Sequence, residues 1–469
     1  MVSMGQSLPN IVWISLESVR SDHTSVEGYD RETTPTLERI ADAPAGVSLP
    51  NCFSQGRWTP AVSASMLTGT HLTTHRVGFD SEDVHRVPET LDTVPELLSR
   101  RGYQTGCIST NGYLTSATGL DRGFDRFLWP DKYDALKNPG TVLRYLLRPG
   151  HYRGLSMGGK RLTLTYDLVT DVARRWLDDF VGVDPFFLYI HYNTAHHPYR
   201  PPHSYLEEFL TDTDLTPAAA IDLAGEVTEN MWAVMADGCS LTERERTALH
   251  ATYDASIAYA DEMVGALFDH LSDEAFDNTV FVVTGDHGEL FGERGVLGHN
   301  LVLHDGVTNV PMVIHGLEDL APDRDDVIQH IDVMRTVAEL AGADTSQFQG
   351  TDLRTETPEL AISQRGPRPS DVDRLLEHNP SFDDSQFSRS AIDAVRTPEF
   401  KYVETGTDAS LYRLPDETTD VAAEYPEVRD RLAARLEERR ATIDQDPADR
   451  TDAEFTDAMR DQLENMGYI

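Results

Sequence analysis

Residues 10–18 read NIVWISLES, a nearly unbroken apolar run that ends on Glu17 and Ser18. Such a run predicts a strand buried on both faces, as in a parallel sheet. The rest of the first half supplies matching elements. TPTLERIAD (34–42) predicts a helix with Pro35 in its first turn. TVPELLSRRGY (93–103) predicts another, and QTGCIST (104–110) the strand after it. DPFFLYIHY (184–192) and DNTVFVVTG (277–285) read as two more buried strands. Residues 244–272 place Leu249, Tyr253, Ile257, Ala260, Val264 and Leu267 at helical spacing, and 327–342 predict a helix ending at Gly342. This alternation gives an α/β fold, with a mostly parallel central sheet sandwiched by helices.

The character changes after residue 355, so residues 1–355 read as the catalytic α/β domain. Residues 356–390 are polar and broken by Pro, as in a loop or insertion. AIDAVRTPEFKYVETG and SLYRLPD predict two short antiparallel strands, and 428–443 a charged helix. Residues 356–443 therefore form a small C-terminal α+β subdomain. The acidic stretch 444–469 reads as a solvated helix or frayed end.

Composition excludes several functions. The 469 residues carry 40 Lys+Arg against 79 Asp+Glu, a net charge of -39, so nucleic acid and anionic lipid are not expected partners. An apolar content of 39% excludes a disordered chain. Only Lys132, Lys137, Lys160 and Lys401 are lysine. An acidic, lysine-poor surface suits a halophilic protein, because concentrated salt screens the self-repulsion. Cys52, Cys107 and Cys239 are far apart and form no CxxC pair, which fits a reducing compartment. The N-terminus shows no charged segment followed by a long apolar one, so no signal peptide is expected. No apolar run approaches the roughly 18 residues of a membrane span. A cytoplasmic protein is expected; its oligomeric state is open.

Reactive side chains gather where strands end. Glu17 and Ser18 follow the first strand, Asp286 and His287 the strand ending at Gly285, and His196 and His197 the strand 184–192. His299 lies shortly beyond. Taken singly, each is as well explained by turn chemistry or capping. Together they occupy the carboxyl ends of parallel strands, where open α/β sheets bind ligands. Carboxylate, carboxylate and imidazole form a ligand set for one divalent ion such as Mn, Mg, Ca or Zn. In GRWTPAVSASMLTGTH, Thr59 takes the N-cap position of a short helix with Pro60 as its first residue. The free N–H groups and dipole there suit a phosphate or sulfate.

Over most of its length the chain resembles the sulfatase branch of the alkaline-phosphatase superfamily. PNIVWISLESVRSDH is similar to that family's opening metal motif, and WTPAVSASMLTG to its nucleophile motif. ELLSRRGYQTGCIST with GLDRGFDRF, then FFLYIHYNTAHHPYRPP, VVTGDHGELFGERG and the tail AVRTPEFKYVETG…SLYRLPD follow in the family's order. The resemblance implies an alkaline-phosphatase-like fold and an ester hydrolase of small-molecule or glycan substrates. The departures are specific. Sulfatases make formylglycine in a Cys-x-Pro-x-Arg frame, and here those Cys and Arg positions hold Thr59 and Ser63. Cys52, nearby, has no such frame, so no formylglycine is expected. Asn111 and His299 stand where the family carries sulfate-gripping Lys, and the usual paired Asp of the first motif is Glu17-Ser18.

The set Glu17, Thr59, Asp286 and His287 resembles instead lipoteichoic acid synthase and related phosphoglycerol transferases. That resemblance implies a metal held by Glu17, Asp286, His287 and Thr59, with Thr59 as nucleophile. It places His196, His299 and Asn111 against the substrate; Ser18, next to Glu17, stands outside this metal set. The reading is a metal-dependent hydrolase or transferase of phosphate or sulfate esters, phosphoester favoured. A sulfatase in the strict sense and a non-catalytic binding protein of the same fold are the alternatives.

Overall fold

The computed structural model describes residues 8–79, 84–130, 137–147, 164–180, 185–211, 213–271, 278–443 and 451–466. The apolar run at the start becomes β1 (Asn10–Leu16), the middle strand of a seven-stranded sheet. The order is β2 (Gly46–Ser48), β11 (Met312–His315), β7 (Thr279–Gly285), β1, β6 (Phe186–Tyr192), β4 (Gln104–Ser109) and β5 (Arg126–Leu128). β7, β1, β6, β4 and β5 run parallel, and β11 is antiparallel to both β7 and β2.

Both faces of the sheet are covered, as the apolar composition of β1 requires. Val12, Ile14 and Leu16 pack with the helices Leu164–Phe180 and Glu243–Leu271. Ile11 and Trp13 face the other side, with the helices Thr59–Thr68 and His330–Leu340. Each such side chain, fully buried, contributes roughly 1.5–3 kcal/mol.

Register explains why one edge holds the chemistry. Leu16 pairs with Tyr192 on one side and Gly285 on the other, and Ser109 pairs with His191. The residues that follow, Glu17, Asn193, Asp286 and Thr110, therefore leave the sheet side by side.

Helix Val94–Ser99 starts with a capping box in which the Thr93 side chain and Glu96 satisfy each other's backbone N–H groups. The predicted helix at 327–342 opens instead with a short strand. β12 (Ile328–Gln329) pairs with β3 (Cys52–Phe53), which also pairs with β10 (Asn309–Val310), and the helix begins at His330. A two-stranded ribbon, β8 (Leu290–Phe291) with β9 (Leu297–Gly298), follows the Asp286 turn.

Two expectations at the C-terminus are corrected. The small sheet has four antiparallel strands, β13 (Ala361–Arg365), β14 (Ile392–Arg396), β15 (Phe400–Thr405) and β16 (Asp408–Arg413), packed on helix Pro426–Ile443. Its first strand and the helix Pro369–His378 lie in the stretch read as a loop. β13 looked polar because Gln364 and Arg365 are buried through hydrogen bonds: the Gln364 amide donates to Asp393, and Arg365 Nη2 to the carbonyls of Ser388 and Ser390. In the final stretch the expected helix is present at Asp457–Asn465 and mostly exposed, but residues 451–466 are docked and not frayed. Arg86 N–H donates to Thr451 O and Ala453 N–H to Val84 O, both at 2.8 Å. Helix Asp457–Asn465 then buries Leu463 in the same core as Ile11 and Trp13. Residues 444–450 and 467–469 lie outside the described residues. No helix among the described residues is long and apolar enough to cross a membrane.

Candidate active site

Thr59 lies at the start of a helix whose ten residues are all buried. The cap position falls on Trp58, so Thr59 is the first helical residue and Pro60 the second. Its hydroxyl turns to the strand ends instead. Thr59 Oγ1 donates to Glu17 Oε1 at 3.1 Å, with His287 Nε2 at 3.4 Å.

Glu17 is fully buried and held from several sides. Asn111 Nδ2 donates to both carboxylate oxygens, at 3.0 and 3.1 Å, and His191 Nε2 lies 3.0 Å from Oε2. The Asn111 amide is thus engaged with Glu17, while its Oδ1 accepts the Tyr113 N–H. His196 Nε2 approaches Glu17 Oε1 at 3.9 Å.

Asp286 is fixed through one oxygen. Its Oδ1 accepts the N–H groups of Ser18, at 2.9 Å, and of His287, at 2.7 Å. Ser18 adopts a left-handed conformation, φ 61°, which the Tyr253 hydroxyl stabilises by donating to Ser18 O. That turn aims the Ser18 N–H at Asp286. Asp286 Oδ2, buried and 3.6 Å from His287 Nε2, accepts no hydrogen bond among the described residues. His287 Nδ1 donates to Gly288 O, so Nε2 carries the lone pair that faces Thr59.

Burial sets the charges. It raises the Asp286 carboxyl above its ordinary range; His287 and His191 oppose the rise and Glu17 adds to it. It pushes His196 well below the usual imidazole value and His299 down to about 3. Burial alone would raise Glu289 too, but the imidazoles of His197 and His299 outweigh it and hold this carboxyl well below its ordinary value.

Glu17, Thr59, Asp286, His287, His196, His299 and Asn111 thus lie in one buried cluster. Two members escaped the sequence reading, His191 and Glu289, while His197 was read beside His196 without its carboxylate partner. His191 is the sixth residue of a strand that is otherwise apolar, and looked like core. Glu289 Oε1 accepts from His197 Nδ1 at 2.7 Å, a pairing visible only in three dimensions.

A mostly parallel sheet with helices on both faces, and polar residues gathered at its carboxyl edge, has the architecture of the ester hydrolases of the alkaline-phosphatase superfamily. The chain belongs to the sulfatase family, whose model matches residues 9–343. An uncharacterized sulfatase, YidJ, of Escherichia coli (strain K12) is 28% identical over 34% of this chain and 32% of its own length. An arylsulfatase of Clostridium perfringens is 24% identical over 71% of this chain and 75% of that protein. The crystal structure of a phosphonate monoester hydrolase of Agrobacterium radiobacter superposes with a TM-score of 0.69, at 21% identity, over 93% of this chain and 96% of that one.

Proposed function

We propose that this chain is a metal-dependent hydrolase or transferase that opens a phosphate ester, a diester in preference, with Thr59 as nucleophile. The observation that carries the reading is the placement of Thr59 Oγ1 between Glu17 Oε1 and His287 Nε2, away from any capping role. Members of the family are metal-dependent, and the residues here fit one divalent ion. Asp286 Oδ2 is a buried carboxylate oxygen without a hydrogen-bond donor among the described residues, and it lies beside a lone-pair nitrogen. Glu17, Asp286, His287 and Thr59 would hold Mn, Mg, Ca or Zn. When bound, such an ion supplies Lewis-acid stabilisation of the transferred group and acidifies the threonine hydroxyl.

The chain's own residues orient the attack. The Thr59 proton points at Glu17 Oε1, and Asn111 and His191 keep that carboxylate in place. The start of helix Thr59–Thr68 offers N–H groups to the anionic ester oxygens. His196 and His299 border the same side, their ring centroids 5.4 Å apart. The Thr59 phosphate ester is then resolved by in-line attack of water or an acceptor at phosphorus. A Thr59 sulfate ester has no second hydroxyl through which to expel sulfate by re-forming an aldehyde. Thr59 and Ser63 at the Cys and Arg positions support an unmodified nucleophile. The arylsulfatase relative favours the second reading, a sulfatase in the strict sense. The acidic, lysine-poor chain and three free thiols support a salt-rich, reducing cytoplasm as its setting.

The test compares aryl phosphate mono- and diesters with aryl sulfates sharing one leaving group, by kcat/KM in high salt with Mn added. Phosphate esters are expected to lead, Thr59→Ala to abolish turnover, and the intact mass to equal that of the plain sequence. A clear preference for the sulfate, or a Thr59→Ala variant with near-normal turnover, overturns the reading.

A further inference from the structure

Beside the Thr59 cluster lies a second group of donors. One ring nitrogen each from His196, His197 and His299 lies within 4.8 Å of the others, and all three side chains are buried. The ring centroids of His196 and His197 are 4.3 Å apart, and His299 stands 4.6 Å from His287. The group therefore adjoins the first metal set and shares the site.

Hydrogen bonds fix the His196 ring and tie that of His197 to a carboxylate. His196 Nδ1 lies 2.6 Å from the carbonyl oxygen of His197, which can only accept. His196 must therefore carry its proton on Nδ1 and present a lone pair at Nε2. His197 Nδ1 donates likewise to Glu289, and His299 Nδ1 points to the same carboxylate oxygen at 3.6 Å. A carboxylate behind imidazoles, fixing the tautomer and orienting the ring, is the outer support typical of metal-ligating histidines. An imidazole that carries its proton on one nitrogen offers the other as a ligand to a cation.

We propose that His196, His197 and His299 hold a second divalent cation, Zn²⁺ in first preference, next to the Thr59 metal. Three imidazoles and an open fourth position are the donor set of a catalytic zinc site. Zn–N distances of about 2.0–2.1 Å put ligand nitrogens roughly 3.3 Å apart. The triad thus closes by no more than about 1.5 Å from its separation of up to 4.8 Å. A cation there would take the place of the Lys and Arg side chains that His299, Asn111 and Ser63 replace. Two ions flanking the reacting phosphorus would stabilise both the attacking and the leaving oxygen.

This inference rests on the Thr59 reading for its place in catalysis, but its test is independent of turnover. Purified protein is stripped with chelator, loaded with Zn²⁺, desalted, and its metal counted by mass spectrometry. Two ions per chain are expected. His197→Ala should retain one ion and Asp286→Asn the other. Glu289→Gln, which keeps the shape of the side chain, should weaken the triad's affinity by about 10–100-fold. Anomalous scattering from wild-type crystals locates the ions without any variant. A single ion lost with Asp286→Asn but kept in His197→Ala overturns this proposal and leaves the Thr59 metal standing. A single ion seated on the histidines upholds the triad and removes the Thr59 metal.

Discussion

Replacing Leu463 by alanine tests whether the C-terminal helix supports the active site. Leu463 is completely buried, and its helix lies against Gly112, where an added Cβ would come 2.9 Å from Gln462 Oε1. Gln462 Nε2 donates to Thr110 O at 2.8 Å, one residue before the Asn111 that grips Glu17. Truncating a fully buried leucine costs about 2–5 kcal/mol. A short terminal helix meets such a cost by undocking, since Leu463 and Met466 are its main apolar anchors. Even 2 kcal/mol raises the undocked population about 30-fold. Arg460 is exposed on the same helix, so trypsin cleavage after it, followed by mass, reports that population when reclosing outpaces cutting. We expect cleavage at least tenfold faster in Leu463→Ala, and kcat/KM lowered several-fold as the Asn111 turn loosens. Leu436→Ala, equally buried but in the small sheet's core, is the control and should leave Arg460 cleavage unchanged. Equal cleavage of wild type and Leu463→Ala would refute the docking. Faster cleavage with unchanged kcat/KM would refute the link to Asn111.

Thr59→Ala should shift the unfolding free energy by less than about 1 kcal/mol, because Thr59 is not the cap whose loss costs that much; chemical denaturation measures it. Asn111→Ala removes both amide bonds to Glu17 but leaves His191 and Thr59, so Mn²⁺ affinity measured by equilibrium dialysis should fall about 10–100-fold without loss of fold. Asp261 accepts the N–H groups of Thr36 and Leu37, yet burial raises its carboxyl to about 7 from an ordinary 3.8. The folded state then binds the extra proton, so this group's stabilisation is complete below pH 3.8 and disappears as pH rises to about 7, on the order of 4 kcal/mol. Asp261→Asn should remove that slope from the pH dependence of unfolding. With a net charge of -39, the unfolding midpoint should rise steeply between 0.1 and 1 M KCl, as the Debye length falls from about 10 to 3 Å.

The sheet was legible because its strands are buried on both faces and therefore apolar throughout. The gathering of polar residues at the strand ends was legible because polar groups directly after such strands have few structural reasons to be there. Glu17 and the Asp286-His287 pair met that test. His191 failed it, since a histidine inside FFLYIHY reads as core until its neighbour across the sheet edge is known. The tail failed for the opposite reason. Leu463 and Met466 stand in an acidic stretch, and the surface that buries them is built from residues hundreds of positions earlier, as the 352-residue separation of Gln462 and Thr110 shows. β13 was missed because its polar residues are satisfied by partners that local sequence does not reveal.

The charge pattern of the site bears on the choice among esters. Ser63, Asn111 and His299 are neutral where the family resemblance expects Arg, Lys and Lys. Two carboxylates, Glu17 and Asp286, nonetheless remain at the centre, and a third, Glu289, stands behind the histidines. Without added cations such a site would repel any anionic ester. With one divalent ion among Glu17, Asp286 and His287 and the second on the histidines in front of Glu289, two ions and three carboxylates would sum to about one positive charge, which matches a singly charged ester and falls short of a dianion. A phosphodiester carries one negative charge and a phosphomonoester close to two at neutral pH, so the arrangement favours the diester. A sulfate monoester also carries one charge, so charge does not separate it from the diester. The proposed Thr59 mechanism would, because a threonine ester of sulfate lacks the aldehyde exit that formylglycine provides, whereas a threonine ester of phosphate can be displaced in line.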